Sequence, residues 1–242
     1  KIYSKIKDPD NNLLLRISTA YLNTGINNYT IKEYNFALEY LFRSYELKIK
    51  KSLSEKALPL LNIAKVYSET NPSLAEEYYL KSISAFTEEY GEEYFRKAEA
   101  YFDYGLFLRS EGRNNESLQA HKKALLICLK NYGKKHTLVS LAYKHLGDHY
   151  LNRNIYDSAL YYYQKSIIAV IGNFDDQDIN ANPPLDSVIF GIRLLDNLKS
   201  HLQLIAKEGE EINVKGSRIV TNWVLDQATD AYTADGVDLE YK

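Results

Sequence analysis

Small residues return at a nearly constant interval along the chain, and this interval is the feature that most constrains the fold. Ala37, Ala75, Ser117 and Ala159 follow one another at steps of 38, 42 and 42 residues. A large residue stands four positions after each of them. Self-similarity at such a period indicates a tandem array of one supersecondary unit. The four copies therefore predict stacked repeats.

Each unit is predicted to be a pair of close-packed antiparallel helices. A second small residue precedes the first one by 11 or 12 positions, as at Gly147, Gly105 and Ala64, and large residues at i, i+3 and i+7 form a stripe beside it. A glycine inside a helix costs about 1 kcal/mol relative to alanine, so close packing has to outweigh that loss. In the first helix pair Ser18 takes this place, which predicts a turn before Ala37 that is seven residues longer than in the later pairs.

The connections between helices carry residues that end and begin helices. The stretches SEGRNN (110–115) and NRNIYD (152–157) contain glycine, asparagine or aspartate. These patterns predict Asn115 and Asp157 as N-caps. His136 lies in the linker before a further helix, where a local capping role is expected.

The last of these units resembles the tetratricopeptide repeat (TPR), whose pattern is W-x2-L-G-x2-Y, then A-x3-F, then P. Tyr143 stands at the tryptophan, Leu146, Gly147 and Tyr150 match the rest of the first helix, and Ala159 and Tyr163 match the second. The closing proline is missing, and the period of 42 resembles the long repeats of kinesin light chains and bacterial sensor proteins. The resemblance covers residues 13–171. It implies an all-α fold, a right-handed α-α superhelix with four helix pairs within residues 1–171.

The chain changes character after Ile171. Residues 172–186 are acidic and contain prolines, which predicts a loop longer than the earlier linkers. Residues 187–235 contain two further helical patterns, which we interpret as a degenerate fifth helix pair. Residues 236–242 are expected to form a tail.

Residues 159–207 carry a second resemblance, to the repeat region that precedes the CHAT domain of bacterial proteins. The matching motifs are Gln164–Ile167, Asn182–Pro184 and Lys199–Leu204. CHAT is a caspase-like cysteine protease domain, and it would lie beyond Lys242, because its histidine and cysteine have no match here. The resemblance implies a regulatory or recognition role without the chemistry.

Charge and composition narrow the classes of partner and location. The formal net charge is -2, and no basic stretch has an aromatic stacking platform, which argues against nucleic acid. No apolar run approaches the roughly 20 residues of a membrane helix. The single cysteine excludes an internal disulfide framework and suits a reducing compartment, so a cytoplasmic location is expected.

Histidine and cysteine form two candidate sites for chemistry, and packing explains both better. His121 and Cys128 are two helical turns apart, about 10 Å of rise, which is too far for a nucleophile–base pair. His145 and His149, with Asp148 beside them, have metal-binding spacing, but the metalloprotease glutamate and a defined third ligand are missing. No catalytic group, metal or cofactor is therefore expected.

The inner face of the superhelix is the expected binding surface, because first helices line it and some of their residues avoid the stripe within a pair. The register selects Leu15, Thr19, Leu22, Leu58, Leu61, Lys65, Phe102, Leu106, Arg109, Leu141, Lys144 and Asp148. The predicted peptide-binding residues among them are Lys65, Phe102, Arg109, Lys144, Leu61 and Leu106. This mixture suits a peptide with acidic groups, unless the leucines only contact the next repeat.

Three functions fit these observations. The first is a protein-interaction module that senses or recruits substrates for a CHAT-type protease, with a protein, a peptide or its own CHAT domain as partner. The second is a free-standing adaptor of the kinesin-light-chain kind. The third is a metal-binding protein or enzyme that uses His145, His149 and Cys128.

Overall fold

The computed structural model describes residues 10–177, which contain eight α-helices. The helices are α1 (Asn11–Thr30), α2 (Tyr34–Lys50), α3 (Ala57–Thr70), α4 (Pro72–Tyr90), α5 (Lys97–Ser110), α6 (Asn114–Tyr132), α7 (Thr137–Leu151) and α8 (Tyr156–Ile168). The predicted fifth helix pair, the tail and most of the predicted acidic loop lie outside the described residues.

The chain divides into two compact units, residues 1–127 and 128–242, which we call unit 1 and unit 2. Described residues of unit 1 include α1 to α5 and most of α6. Those of unit 2 include the end of α6 and the pair α7 and α8. The boundary between the two units falls inside α6.

The repeated small residues lie where paired helices cross. Ala37, Ala75, Ser117 and Ala159 are all buried, with at most 1% of their surface exposed, as the sequence predicted. The glycines of the first helices face the large residue of the second. A Cβ atom on Gly147 would lie 2.5 Å from Tyr163, and one on Gly105 would lie 2.4 Å from His121. Side chains at these glycines would therefore displace the partner ring.

The predicted register of the first helix pair, α1 and α2, was wrong by two helical turns. Gly25, and not Ser18, takes the place of the crossing glycine, because a Cβ atom there would lie 2.6 Å from Leu41. The connection between α1 and α2 is residues 31–33, so the turn is not lengthened. The extra residues extend the N-terminal part of α1, which is 20 residues long where α5 has 14.

A second small-residue contact, seven positions away on each helix, explains that error. Hydroxyl groups of the second helices donate hydrogen bonds to first-helix carbonyls: Ser44 to Ser18 O (2.8 Å), Ser82 to Ala57 O (2.9 Å) and Ser166 to Ser140 O (2.7 Å). Buried hydroxyls need such partners. Ser18 is therefore small because its backbone carbonyl accepts the Ser44 hydroxyl at a close contact between the two helices. In the sequence it cannot be told from the crossing glycine, Gly25, two turns later.

The helix starts differ from the predicted caps at two of three positions. Asn115 lies inside α6, and Asp157 lies in the first turn of α8, so neither is the N-cap. Asp157 still has a favourable place, because the N-terminus of a helix carries partial positive charge. The prediction for His136 is confirmed, since its Nδ1 accepts a hydrogen bond from the Leu138 N–H at 3.1 Å.

In unit 2, one lysine side chain forms hydrogen bonds at the C-terminal end of α8. Lys135 Nζ donates hydrogen bonds to the carbonyls of Ile168, Ile171 and Phe174, and it lies 2.9 Å from the Asp175 carboxylate. The last carbonyls of a helix lack partners within the helix, and a cation suits them. Lys135 therefore fixes the segment that follows α8.

Candidate functional site

Unit 1 contains a cavity of about 400 Å³ that opens between its helices. Tyr29 of α1, Lys65, Ser68 and Glu69 of α3 and Tyr79 of α4 line one part of it. Asp103, Leu106, Phe107 and Ser110 of α5 line the rest. The volume lies within the range of about 300–1,000 Å³ that is typical of ligand pockets.

The repeat register brings the lining residues together. Lys65 follows Ala64 in the chain, and Leu106 follows Gly105. In both helices the small residue faces the paired helix, and the next residue is turned by about 100° from that crossing. Lys65 and Leu106 thus occupy equivalent positions, and both line the cavity.

Aromatic rings form the base of the cavity. Tyr79 is 3% exposed, and its ring lies 5.6 Å from that of Phe107. The Tyr79 hydroxyl forms a hydrogen bond of 3.1 Å with the Ser68 hydroxyl. Burial raises the pKa of Tyr79 far above its ordinary value, with the Ser68 bond acting weakly against it. The phenol is therefore neutral and presents an apolar ring with one satisfied polar end.

An ion pair joins α3 to α5 at the wall of the cavity. Lys65 Nζ lies 3.2 Å from Asp103 Oδ2, and the two side chains are 29% and 20% exposed. Burial raises the pKa of Asp103, and the Lys65 ammonium opposes that shift without cancelling it. Oδ2 itself is enclosed, and Lys65 is its contact among the described residues. The exposed fifth of the Asp103 side chain can accept a hydrogen bond from a ligand in the cavity.

The charge around the cavity is negative. Its lining contains one cation, Lys65, and two carboxylates, Asp103 and Glu69. Glu99 lies one turn before Asp103 on α5, and its pKa is raised, first by burial and second by the charge of Asp103. Glu99 keeps much of its surface exposed, so water weakens this effect. Asp103 and Glu69 are therefore the carboxylates that line the cavity.

The five predicted binding residues of unit 1 have different surroundings. Lys65 and Leu106 line the cavity. Leu61 is fully buried and Phe102 is 5% exposed, so these two side chains belong to the hydrophobic core. Both face packed helices, because residues beside the crossing stripe also contact neighbouring pairs. Arg109 lies on the last turn of α5, outside the lining.

The sixth predicted residue, Lys144, belongs to unit 2 and has a partner on its own helix. Its Nζ lies 3.1 Å from Asp148 Oδ2, one turn later on α7. Asp148 also accepts a hydrogen bond of 2.8 Å from the Tyr163 hydroxyl. Both lysines that were expected to hold acidic groups of a ligand are thus paired within the chain.

Sequence reasoning missed Asp103, Glu69, Tyr29 and Tyr79 as cavity residues. The predicted register held no signal for Asp103, because it placed Ser18 and not Gly25 at the first crossing. With Gly25 there, the equivalent position is asparagine in α1 and α3, at Asn23 and Asn62, aspartate in α5 and histidine in α7. The residue type at this position therefore varies from helix to helix and does not by itself identify a cavity residue.

The remaining candidates for chemistry are packing residues. Cys128 is fully buried, and burial raises the pKa of its thiol to about 12, so it is not a thiolate nucleophile at neutral pH. His121 is 1% exposed and lies under Gly105. His145 Nδ1 lies 4.0 Å from Asp148 Oδ2, and His149 packs edge-on against Tyr150. Within residues 10–177, no group of three or more possible ligands is placed to hold a metal ion.

Across residues 10–177, no helix combines the length and the apolar character that crossing a bilayer requires.

Comparisons with solved structures show what the fold is similar to. BtubC (BKLC) from P. vanneervenii has a TM-score of 0.62 at 10% identity and covers 97% of this chain and 96% of that chain. A kinesin light chain from Podosopora anserina with nearly identical TPR-like repeats has 0.66 at 12% identity, over 91% and 97%. PilF of Pseudomonas aeruginosa has 0.53 at 20% identity, over 91% and 88%. At these identities the likeness concerns the fold alone.

Sequence comparison gives a match over part of the chain. Residues 96–167 match the model of the tetratricopeptide repeat family. No curated protein matches the chain. TPR folds are typically non-catalytic scaffolds that bind proteins or peptides. The predicted all-α fold of the TPR solenoid kind is confirmed, and residues 96–167 are similar in sequence to the tetratricopeptide repeat.

Proposed function

We propose that this chain is a protein-interaction module that binds a peptide segment of a partner in the unit 1 cavity. The observation that carries the proposal is the cavity itself. It is lined by Lys65 and Leu106, which occupy equivalent positions in consecutive first helices, and it has an aromatic base. Repeats that present equivalent residues side by side suit an extended segment, which meets one helix after another.

Selection from a random-peptide display library against the whole chain tests this proposal. Selected peptides are expected to lose at least about tenfold in affinity for the Leu106→Asp variant, because a charge replaces apolar contact in the cavity. Leu126→Asp is the matched control, since Leu126 is 67% exposed on α6 and lies outside the lining. Selected peptides that bind both variants equally would contradict the cavity as the binding site.

We infer further that the module serves as the sensor or substrate-recruiting arm of a CHAT-type protease in the bacterial cytoplasm. The motif resemblance over residues 159–207 supports this inference. The parent gene is then expected to continue past Lys242 into a domain with a histidine and cysteine pair. A stop codon soon after Lys242 would favour a free-standing adaptor.

A metal-binding protein or enzyme is the remaining alternative, based on the spacing of His145 and His149 on α7. It requires stoichiometric metal in the purified chain by elemental analysis, and loss of that metal in the His149→Ala variant.

A further inference from the structure

We propose that the unit 1 cavity recognises a positively charged side chain, a lysine or an arginine, in the peptide of a partner protein. The inference rests on the proposed function and names the chemistry of the ligand. It replaces the acidic ligand that the lysines alone had suggested.

Charge complementarity is the first argument. Lys65 is the one cation in the lining, and it already faces Asp103 at 3.2 Å. Glu69 is exposed at the same cavity, and Glu99 lies a turn away from Asp103 on the outside of α5. An acidic ligand group would meet the two carboxylates of the lining, Asp103 and Glu69, against one ammonium that is already paired. A basic group would meet the opposite balance, which favours its approach and its orientation.

The second argument is the accessible part of the Asp103 carboxylate. Oδ2 is enclosed and already faces Lys65, but 20% of the side chain stays exposed, and the residue lines the cavity. A donor from a ligand would add a charge-assisted hydrogen bond to a carboxylate that burial leaves poorly solvated. A guanidinium offers five N–H groups in a planar fork, so it can serve a carboxylate beside Lys65.

The third argument is the shape and the aromatic character of the cavity. Its volume of about 400 Å³ suits a long side chain with its neighbouring backbone. Tyr29 is half-buried and supplies aromatic surface in the lining, whereas Tyr79 and Phe107 are 3% and 5% exposed and back the cavity. A ring such as that of Tyr29 attracts a cation at its face and also packs against the aliphatic stem of lysine or arginine. An acidic side chain would gain neither contact.

Library selection against the whole chain tests the inference, followed by fluorescence anisotropy with labelled copies of the selected peptides. Peptides that depend on Leu106 are expected to contain lysine or arginine. In a selected peptide that contains arginine, replacement of the arginine by citrulline keeps the shape of the side chain and removes its charge. The affinity should then fall at least about tenfold. The Asp103→Asn variant should lose a similar factor for the arginine peptide and little for the citrulline peptide.

Asp157→Asn is the matched control, because it removes one carboxylate from an exposed position in α8 and should leave the affinity unchanged. Thermal unfolding followed by circular dichroism verifies that each variant is folded, and the citrulline comparison needs no variant of the protein. Leu106-dependent peptides that are acidic or neutral would overturn this inference and leave the proposed function intact. A selection without any Leu106-dependent peptide would overturn both.

Discussion

Two lysine–aspartate pairs, one in each unit, have nearly the same length and different surroundings. Lys65 and Asp103 lie 3.2 Å apart and join α3 to α5, whereas Lys144 and Asp148 lie 3.1 Å apart within one turn of α7. Asp148 also accepts the hydrogen bond of Tyr163. Asp103 Oδ2 has no such addition from the described residues. The first carboxylate is therefore open to a ligand, and the second is part of the helix packing.

The difference has a cause in the repeat register. Tyr79 and Tyr163 occupy the same position of their helices, four residues after a buried alanine, and both rings are buried. The residue that follows the first-helix crossing is Asp148 in α7 and Lys65 in α3. Where it is aspartate, the tyrosine hydroxyl donates to it. Where it is lysine, the hydroxyl pairs with Ser68 instead, and the aspartate comes from another helix.

The largest expected loss of stability is that of Tyr163→Phe, and Tyr79→Phe is its comparison. Tyr163→Phe removes a hydrogen bond to a carboxylate and should lower the free energy of unfolding by about 2 kcal/mol. Tyr79→Phe removes a bond between two neutral groups and should lower it by about 1 kcal/mol. Urea unfolding of both variants measures the values. Equal losses would show that the Asp148 carboxylate gains nothing from its second partner.

A smaller loss of stability is expected for Lys65→Met, and Lys144→Met is its comparison. Lys65→Met leaves the mostly buried Asp103 without its cation and should lower the free energy of unfolding by about 1.5 kcal/mol. Lys144→Met should lower it by less than about 0.5 kcal/mol, because an ion pair one turn apart on a helix contributes little and Tyr163 still serves Asp148. Urea unfolding of the two variants measures both losses. A larger loss for Lys144→Met than for Lys65→Met would place the open carboxylate in unit 2.

The two regions also mark how far the sequence could predict the molecule. Helix pairs and second-helix alanines follow from spacing, because a small residue at a crossing leaves a periodic trace. Gly25 was missed, since Ser18 lies two turns earlier on the same face and is equally small. The state of Lys65 could not be predicted, because its partner Asp103 is 38 residues away on another helix. A register assigns residues to faces; it does not tell which charges on a face are already paired.

The smallest expected effect is the pH dependence of stability that Asp103 produces. Burial raises its folded pKa above the unfolded value of about 3.9, so the folded chain binds this proton more tightly. The resulting stabilisation is present below the unfolded pKa and is lost as the pH rises through the folded pKa. Lys65 opposes the shift, whereas Glu99 titrates beside it with its own raised pKa.

Asp103→Asn removes this titration, so its free energy of unfolding relative to the unmodified chain should increase from about pH 4 upward and become constant above the folded pKa. Lys65→Met should steepen the dependence, because it leaves burial unopposed. Glu99→Gln is the control that removes the neighbouring titration. Urea unfolding at several pH values between about 4 and 7 gives the slopes. A slope that Asp103→Asn leaves unchanged would mean that this carboxylate is as well solvated as a surface group, and it would then have no unmet demand for a cationic ligand.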